Sequence, residues 1–62
     1  MLTEERFARI LSILEEKNTI SVQELSSRLN ASESTIRRDL TKLNQMGKLR
    51  KFHGGATAVS SL

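Results

Sequence analysis

The 62-residue sequence predicts a mainly α fold with a small β-hairpin, three helices followed by two short strands. Three observations predict it. Apolar residues recur at helical spacing in three separate segments. Each segment follows a Ser or Thr suited to an N-cap and is closed by Asn or Gly. Beyond Gly47 the pattern becomes strand-like around a Gly-Gly pair.

The first helix is expected from Thr3 to about Lys17. Thr3 serves as its N-cap, and Glu4 and Glu5 complement the positive end of the helix dipole. Leu2 and Phe7 have hydrophobic-staple spacing, and Phe7, Ile10, Leu11 and Leu14 form one apolar face. Asn18 is the stop. Thr19-Ile20 is a short β-favouring link able to supply a pairing strand. Ser21 and Glu24 form a capping box, with Ile20 and Leu25 as the staple, so a second helix runs from Val22 to Leu29 and ends at Asn30. Ala31-Ser32 makes the next turn, with Ser32 as N-cap. The third helix spans about Glu33 to Met46, with Gly47 as its left-handed terminator. Ile36, Leu40 and Leu43 form its apolar stripe; Ser34, Arg38, Thr41 and Gln45 point away from it. Leu49-Arg50-Lys51-Phe52-His53 reads as a half-buried strand, Gly54-Gly55 as the hairpin turn and Ala56-Thr57-Ala58-Val59 as the returning strand. Phe7 and Phe52, the only aromatics, are assigned to the core. Residues 1–59 are thus expected to form one domain, and Ser60-Ser61-Leu62 to begin a linker.

Composition narrows the function. The chain has no cysteine and one histidine, His53, so it offers no disulfide framework and no metal site of its own, and no cofactor motif is present. No converging set of acids, nucleophile and base supports an enzyme. No apolar run approaches membrane-spanning length, so an intracellular, cytoplasmic location is expected. Charge is uneven. Residues 1–31 carry four basic and five acidic side chains, and residues 32–62 carry six basic against two acidic. A basic half suggests a polyanionic partner, although a solvated surface is the commoner meaning of such a bias.

Two helices joined across Asn30-Ala31-Ser32 fit a helix-turn-helix, and the basic hairpin behind them makes it a three-helix winged helix-turn-helix. One α-helix fits the major groove of duplex DNA, about 12 Å wide. The third helix offers it Ser34, Thr35, Arg37, Arg38, Thr41 and Lys42, with Ser32 at its phosphate-favouring N-terminus. Arg37 is the preferred base reader; Arg38 is shared between bases and phosphates. Lys51, His53 and Gly54 place a basic tip and a close-approaching backbone near the minor groove or flanking phosphates. His53 alternatively stacks on Phe52. Asp39 is read as structural, pairing with Lys42 or with Arg6 of the first helix.

Ser32-Glu33-Ser34-Thr35-Ile36-Arg37-Arg38-Asp39-Leu40 resembles the helix-turn-helix signature of DeoR-type bacterial transcription regulators, a small residue followed by Thr-aliphatic-Arg-Arg-Asp-Leu. Upstream, Arg6, Ile10 and Leu14 stand at four-residue spacing, followed by seventeen residues before Ser32. His53-Gly54-Gly55-Ala56 is similar to the family's wing motif; Lys51 stands where arginine is common, and Phe52 is bulkier than the usual aliphatic residue. The resemblance implies an operator half-site in double-stranded DNA as partner, and repression of a sugar or nucleoside metabolism operon. It also implies a larger C-terminal domain, absent here, that binds a sugar phosphate and drives homo-oligomerisation, leaving this chain monomeric. The alternative is a winged helix used as a protein–protein module without DNA binding, since fold does not fix function.

Overall fold

The computed structural model describes residues 2–59. Helix α1 (Thr3–Lys17) leads into strand β1 (Thr19–Ser21), helices α2 (Val22–Leu29) and α3 (Glu33–Gln45), and strands β2 (Leu49–Phe52) and β3 (Gly55–Ala58). The fold is therefore mainly helical with a small antiparallel sheet, the winged helix-turn-helix that the sequence predicts. The Thr19-Ile20 link does pair, and it makes the hairpin a three-stranded sheet in the order β1-β3-β2. Ile20 lies opposite Ala56 and Lys51 opposite Ala56 on the other side, so β3 is the central strand.

The three apolar stripes meet in one core. Ile10 and Leu14 of α1, Val22, Leu25 and Leu29 of α2, and Ile36, Leu40 and Leu43 of α3 are buried together with Ile20, Leu49 and Ala56 of the sheet. The staple partners Ile20 and Leu25 are both in this core. Helices α1 and α2 end on asparagines with positive φ, 68° at Asn18 and 55° at Asn30, a conformation that asparagine tolerates better than most residues. Helix α3 stops one residue earlier than expected. Met46 is its cap and Gly47 follows at φ 76°.

Several local expectations are corrected. The N-cap of α1 is Leu2, not Thr3, because the Glu5 carboxylate reaches back to accept from the Leu2 amide at 3.2 Å. Leu2 is 69% exposed, while Phe7 packs against the core. At α2 only half of the capping box forms. Ser21 Oγ accepts from the Glu24 amide at 3.0 Å, but the Glu24 carboxylate turns to Lys17 at 2.7 Å and Arg28 at 3.0 Å. The hydrogen bond from Lys17 is the main cause that holds the Glu24 carboxyl below its usual range.

The hairpin turn is His53-Gly54 rather than Gly54-Gly55, closed by the pair Phe52 and Gly55. Gly54 adopts φ 93° at the second turn position, a conformation that glycine enters without steric cost. Gly55 belongs to β3, one residue earlier than expected, and Val59 lies beyond the strand. Phe52 is 45% exposed and is not a core residue. The reason is strand parity: Leu49 is buried, and a residue three positions on faces the opposite side of the sheet. The expected linker start, residues 60–62, lies outside the described residues.

Candidate nucleic-acid interface

Helix α3 is positioned by its stripe and by one ion pair. Asp39 is the only polar or charged residue buried among those described, at 4% exposure. Its carboxylate accepts from both Nε and Nη2 of Arg6, the latter at 3.0 Å. Of the two partners expected for Asp39, the structure selects Arg6 over Lys42. The hydrogen bond to Asp39 also raises the Arg6 guanidinium above its ordinary value, so it stays charged throughout the accessible pH range. With Asp39 turned inward, the outer side of the helix keeps its hydroxyls, cations and Glu33.

That side is exposed at Ser34, Arg37, Arg38, Thr41, Lys42 and Gln45. Arg37, Arg38, Thr41 and Lys42 come together with Gln45 around one shallow depression. Thr35, Arg38 and Lys42 line a second, which reaches α1 at Thr3 and the Arg6–Asp39 pair. Ser32 Oγ caps the helix, accepting from the Thr35 amide at 3.2 Å and donating to Thr35 Oγ1 at 3.0 Å. The Thr41 hydroxyl donates to the Arg37 carbonyl at 2.9 Å, so toward a ligand it offers lone pairs and a methyl group. Arg37 Nη2 lies 3.3 Å from Glu33 Oε1 one turn back, with both side chains largely in solvent.

The wing is fastened to the helices by backbone bonds. The Val22 amide, at the start of α2, donates to the Gly54 carbonyl at 2.8 Å. At the other end of β3, Ala58 N and Thr57 Oγ1 both donate to the Asn18 carbonyl, at 2.7 and 3.0 Å. From α3, Asn44 Oδ1 accepts from the Lys51 amide at 3.0 Å. A groove results between α3 and the wing. Arg37 lines one side, and Lys51, Phe52, His53 and Gly54 line the other with Val22. The structure thus brings Arg37, Lys51, His53 and Gly54 together, while Ser32 and Ser34 stand at the N-terminal end of α3, outside that groove.

Sequence reasoning missed Asn44, Phe52 and Glu33 as parts of this surface. For Phe52 the signal was present in its odd separation from Leu49. For Asn44 there was none, because its partner is a backbone amide seven residues on. Asn44→Ala is expected to speed hydrogen exchange at the Lys51 amide about fivefold, as a net loss of about 1 kcal/mol in one hydrogen bond implies. Exchange measured residue by residue checks it; an unchanged rate at Lys51 removes Asn44 from the wing's support.

Charge is sorted across the molecule. Among the described residues, Lys17 and Arg28 pair with Glu24, Arg6 with Asp39, and Arg37 loosely with Glu33. Arg9, Arg38, Lys42, Lys48, Arg50 and Lys51 have no carboxylate within ion-pair distance, and all but Arg9 lie on α3 or the wing and the turn leading to it. The described residues contain no group of three or more potential metal ligands, and no helix among them is long and apolar enough to cross a membrane.

A family model described as the DeoR-like helix-turn-helix domain matches residues 6–62. The chain belongs to this family. Similar proteins include the uncharacterized HTH-type transcriptional regulator FruR of Bacillus subtilis, 47% identical over 62 residues covering 100% of this chain and 25% of that protein. The lactose phosphotransferase system repressor of Streptococcus mutans is 45% identical over 56 residues, 90% of this chain and 22% of that protein. The HTH-type transcriptional regulator GlpR of Haloferax volcanii is 42% identical over 62 residues, 100% of this chain and 24% of that protein. The DeoR-like chain therefore spans about a quarter of the length of these relatives. No solved structure matches it significantly. The family and these relatives are DNA-binding transcription regulators, a class without enzymatic activity, and the winged helix-turn-helix geometry agrees with that class.

Proposed function

We propose that this DeoR-like domain reads one operator half-site by laying α3 in the major groove and the wing on the adjacent minor groove or backbone. The observation that carries the reading is the distribution of charge: of the six described cations without a carboxylate partner, five (Arg38, Lys42, Lys48, Arg50 and Lys51) lie on α3, the wing or the turn between them, and only Arg9 lies on α1. In this arrangement Arg37 grips guanine O6 and N7, with Arg38 divided between a base edge and a phosphate. Ser32, Ser34, Thr35 and Lys42 hold phosphates near the helix N-terminus and along its flank, and Thr41 meets a base edge with its lone pairs or methyl. Lys51 neutralises a backbone phosphate. His53 and the Gly54 backbone enter or border the minor groove.

The name of the Streptococcus mutans relative supports placing the parent protein among repressors of sugar or nucleoside operons. The relatives' greater length supports a further domain as the seat of sugar-phosphate binding and homo-oligomerisation. In that reading the parent acts in the cytoplasm, and this chain alone is a monomer that binds a half-site weakly, without the avidity of a linked pair. The test is selection of duplexes from a random pool by the 62-residue chain, followed by titration of the enriched sequence. Arg37→Ala is expected to weaken that sequence by about 1–3 kcal/mol relative to a scrambled duplex. Equal loss on both reduces Arg37 to a phosphate contact. No enriched sequence at all transfers the fold to a protein–protein role.

A further inference from the structure

Glu33 is the first residue of α3, and with Asp39 buried on Arg6 it is the one exposed acid of that helix. Its position looks wrong for a DNA-binding surface. The N-terminus of a helix is where a phosphate would be favoured by the dipole and the free amides, and a carboxylate there repels it. The same carboxylate holds Arg37, whose Nη2 lies 3.3 Å from Glu33 Oε1, the side chains being 58% and 46% exposed. Both effects oppose sequence-independent binding. Each has a complement on a base edge: arginine takes guanine O6 and N7, and a carboxylate accepts from the cytosine N4 amine. Residues four apart on a helix lie on one side and about 6 Å apart along the axis. That separation suits neighbouring base pairs rather than one phosphate.

We propose that Glu33 is a specificity-determining residue. It keeps Arg37 from phosphates on wrong sequences and accepts from a cytosine amine on the right one, so the two side chains read a step containing a G·C pair as a unit. The inference rests on the docking proposed above for α3. A residue serving only the helix dipole would change stability and leave the preference between sequences untouched.

The experiment uses the 62-residue chain, the duplex it enriches from a random pool, and a scrambled duplex of equal composition. Glu33→Gln and Glu33→Ala are titrated on both across a salt series, with thermal melts to confirm folding. Both variants are expected to bind the scrambled duplex more tightly. Their preference for the enriched sequence should fall about tenfold, the discrimination carried by one good base contact. The salt slope on the scrambled duplex should steepen by about one as Arg37 takes a phosphate. Pools enriched by the glutamine variant should lose the G·C requirement at one position. Equal change on both duplexes, or an unchanged slope, overturns the proposal while leaving the docking intact. A wild-type chain that enriches nothing removes both, and that failure is visible before any variant is made.

Discussion

Alanine at Asp39 is expected to lower the free energy of unfolding by about 1–3 kcal/mol, the cost of leaving a part-buried partner without its acceptor. A domain of this length has only about 3–9 kcal/mol in total. The variant should therefore lose a large share of its stability and melt well below the parent chain. The loss comes from Arg6 more than from the missing contact. Asp39 accepts from two nitrogens of that guanidinium, and its own residue is 4% exposed. Removing it strands a cation that stays ionised throughout the accessible pH range, because a guanidinium is not deprotonated in proteins even without an acidic partner. Alkaline solution therefore does not relieve the defect. Asp39→Asn keeps an acceptor and should cost less. Replacing both partners, Arg6→Met with Asp39→Leu, should restore most of the stability, because apolar residues of similar volume often match a buried ion pair. Urea denaturation followed by helical ellipticity measures all three. A loss under about 1 kcal/mol for Asp39→Ala would show the pair to behave like an ordinary surface bridge.

The same residue illustrates what the sequence carries. Asp39 follows two arginines on a helix whose outer side is cationic, and its place in the helical rotation already separates it from Arg38 and Thr41. A structural partner was therefore legible, and Arg6 was one of the two candidates. The helices were legible for a similar reason: periodic apolar stripes and asparagine stops are local signals, and Asn18 and Asn30 end their helices with positive φ as such stops do. Pairing across the sheet was less so. Nothing near Gly54-Gly55 says which glycine takes the turn, because that choice depends on β1 lying against β3 more than thirty residues away in sequence. Phe52 was misassigned because aromatic character outweighed parity. Among the proposed site residues, outward direction followed from helical rotation. The meeting of Arg37 with the wing did not, because it depends on Asn44 and on the Val22–Gly54 bond.

Gly55→Ala is expected to destabilise the domain by about 3 kcal/mol, the upper end of what forced overpacking costs. A β-carbon on Gly55 would overlap the Ile20 carbonyl oxygen, and would stand 3.0 Å from Ser21 Cα and 3.1 Å from Phe52 Cζ. The phenyl ring can swing aside because it is half in solvent, but the first two neighbours are backbone and cannot yield alone. Strand β1 must therefore retreat from β3, opening the register that sets Ser21 opposite Gly55 and Ile20 opposite Ala56. Ile20 and Ala56 are core residues, so the retreat also loosens the packing beneath the sheet. The Val22–Gly54 bond lies at the same junction, and its loss would free the wing tip from α2. Gly54→Ala provides the contrast. It meets open space and is strained only through its φ of 93°, which should cost about 1–2 kcal/mol for a residue bearing a β-carbon. Urea denaturation separates the two variants in stability, and hydrogen exchange at Val22 and Ala56 locates the damage. If Gly55→Ala proved as stable as Gly54→Ala, the close approach of β1 to β3 would not be what holds the wing against the helices.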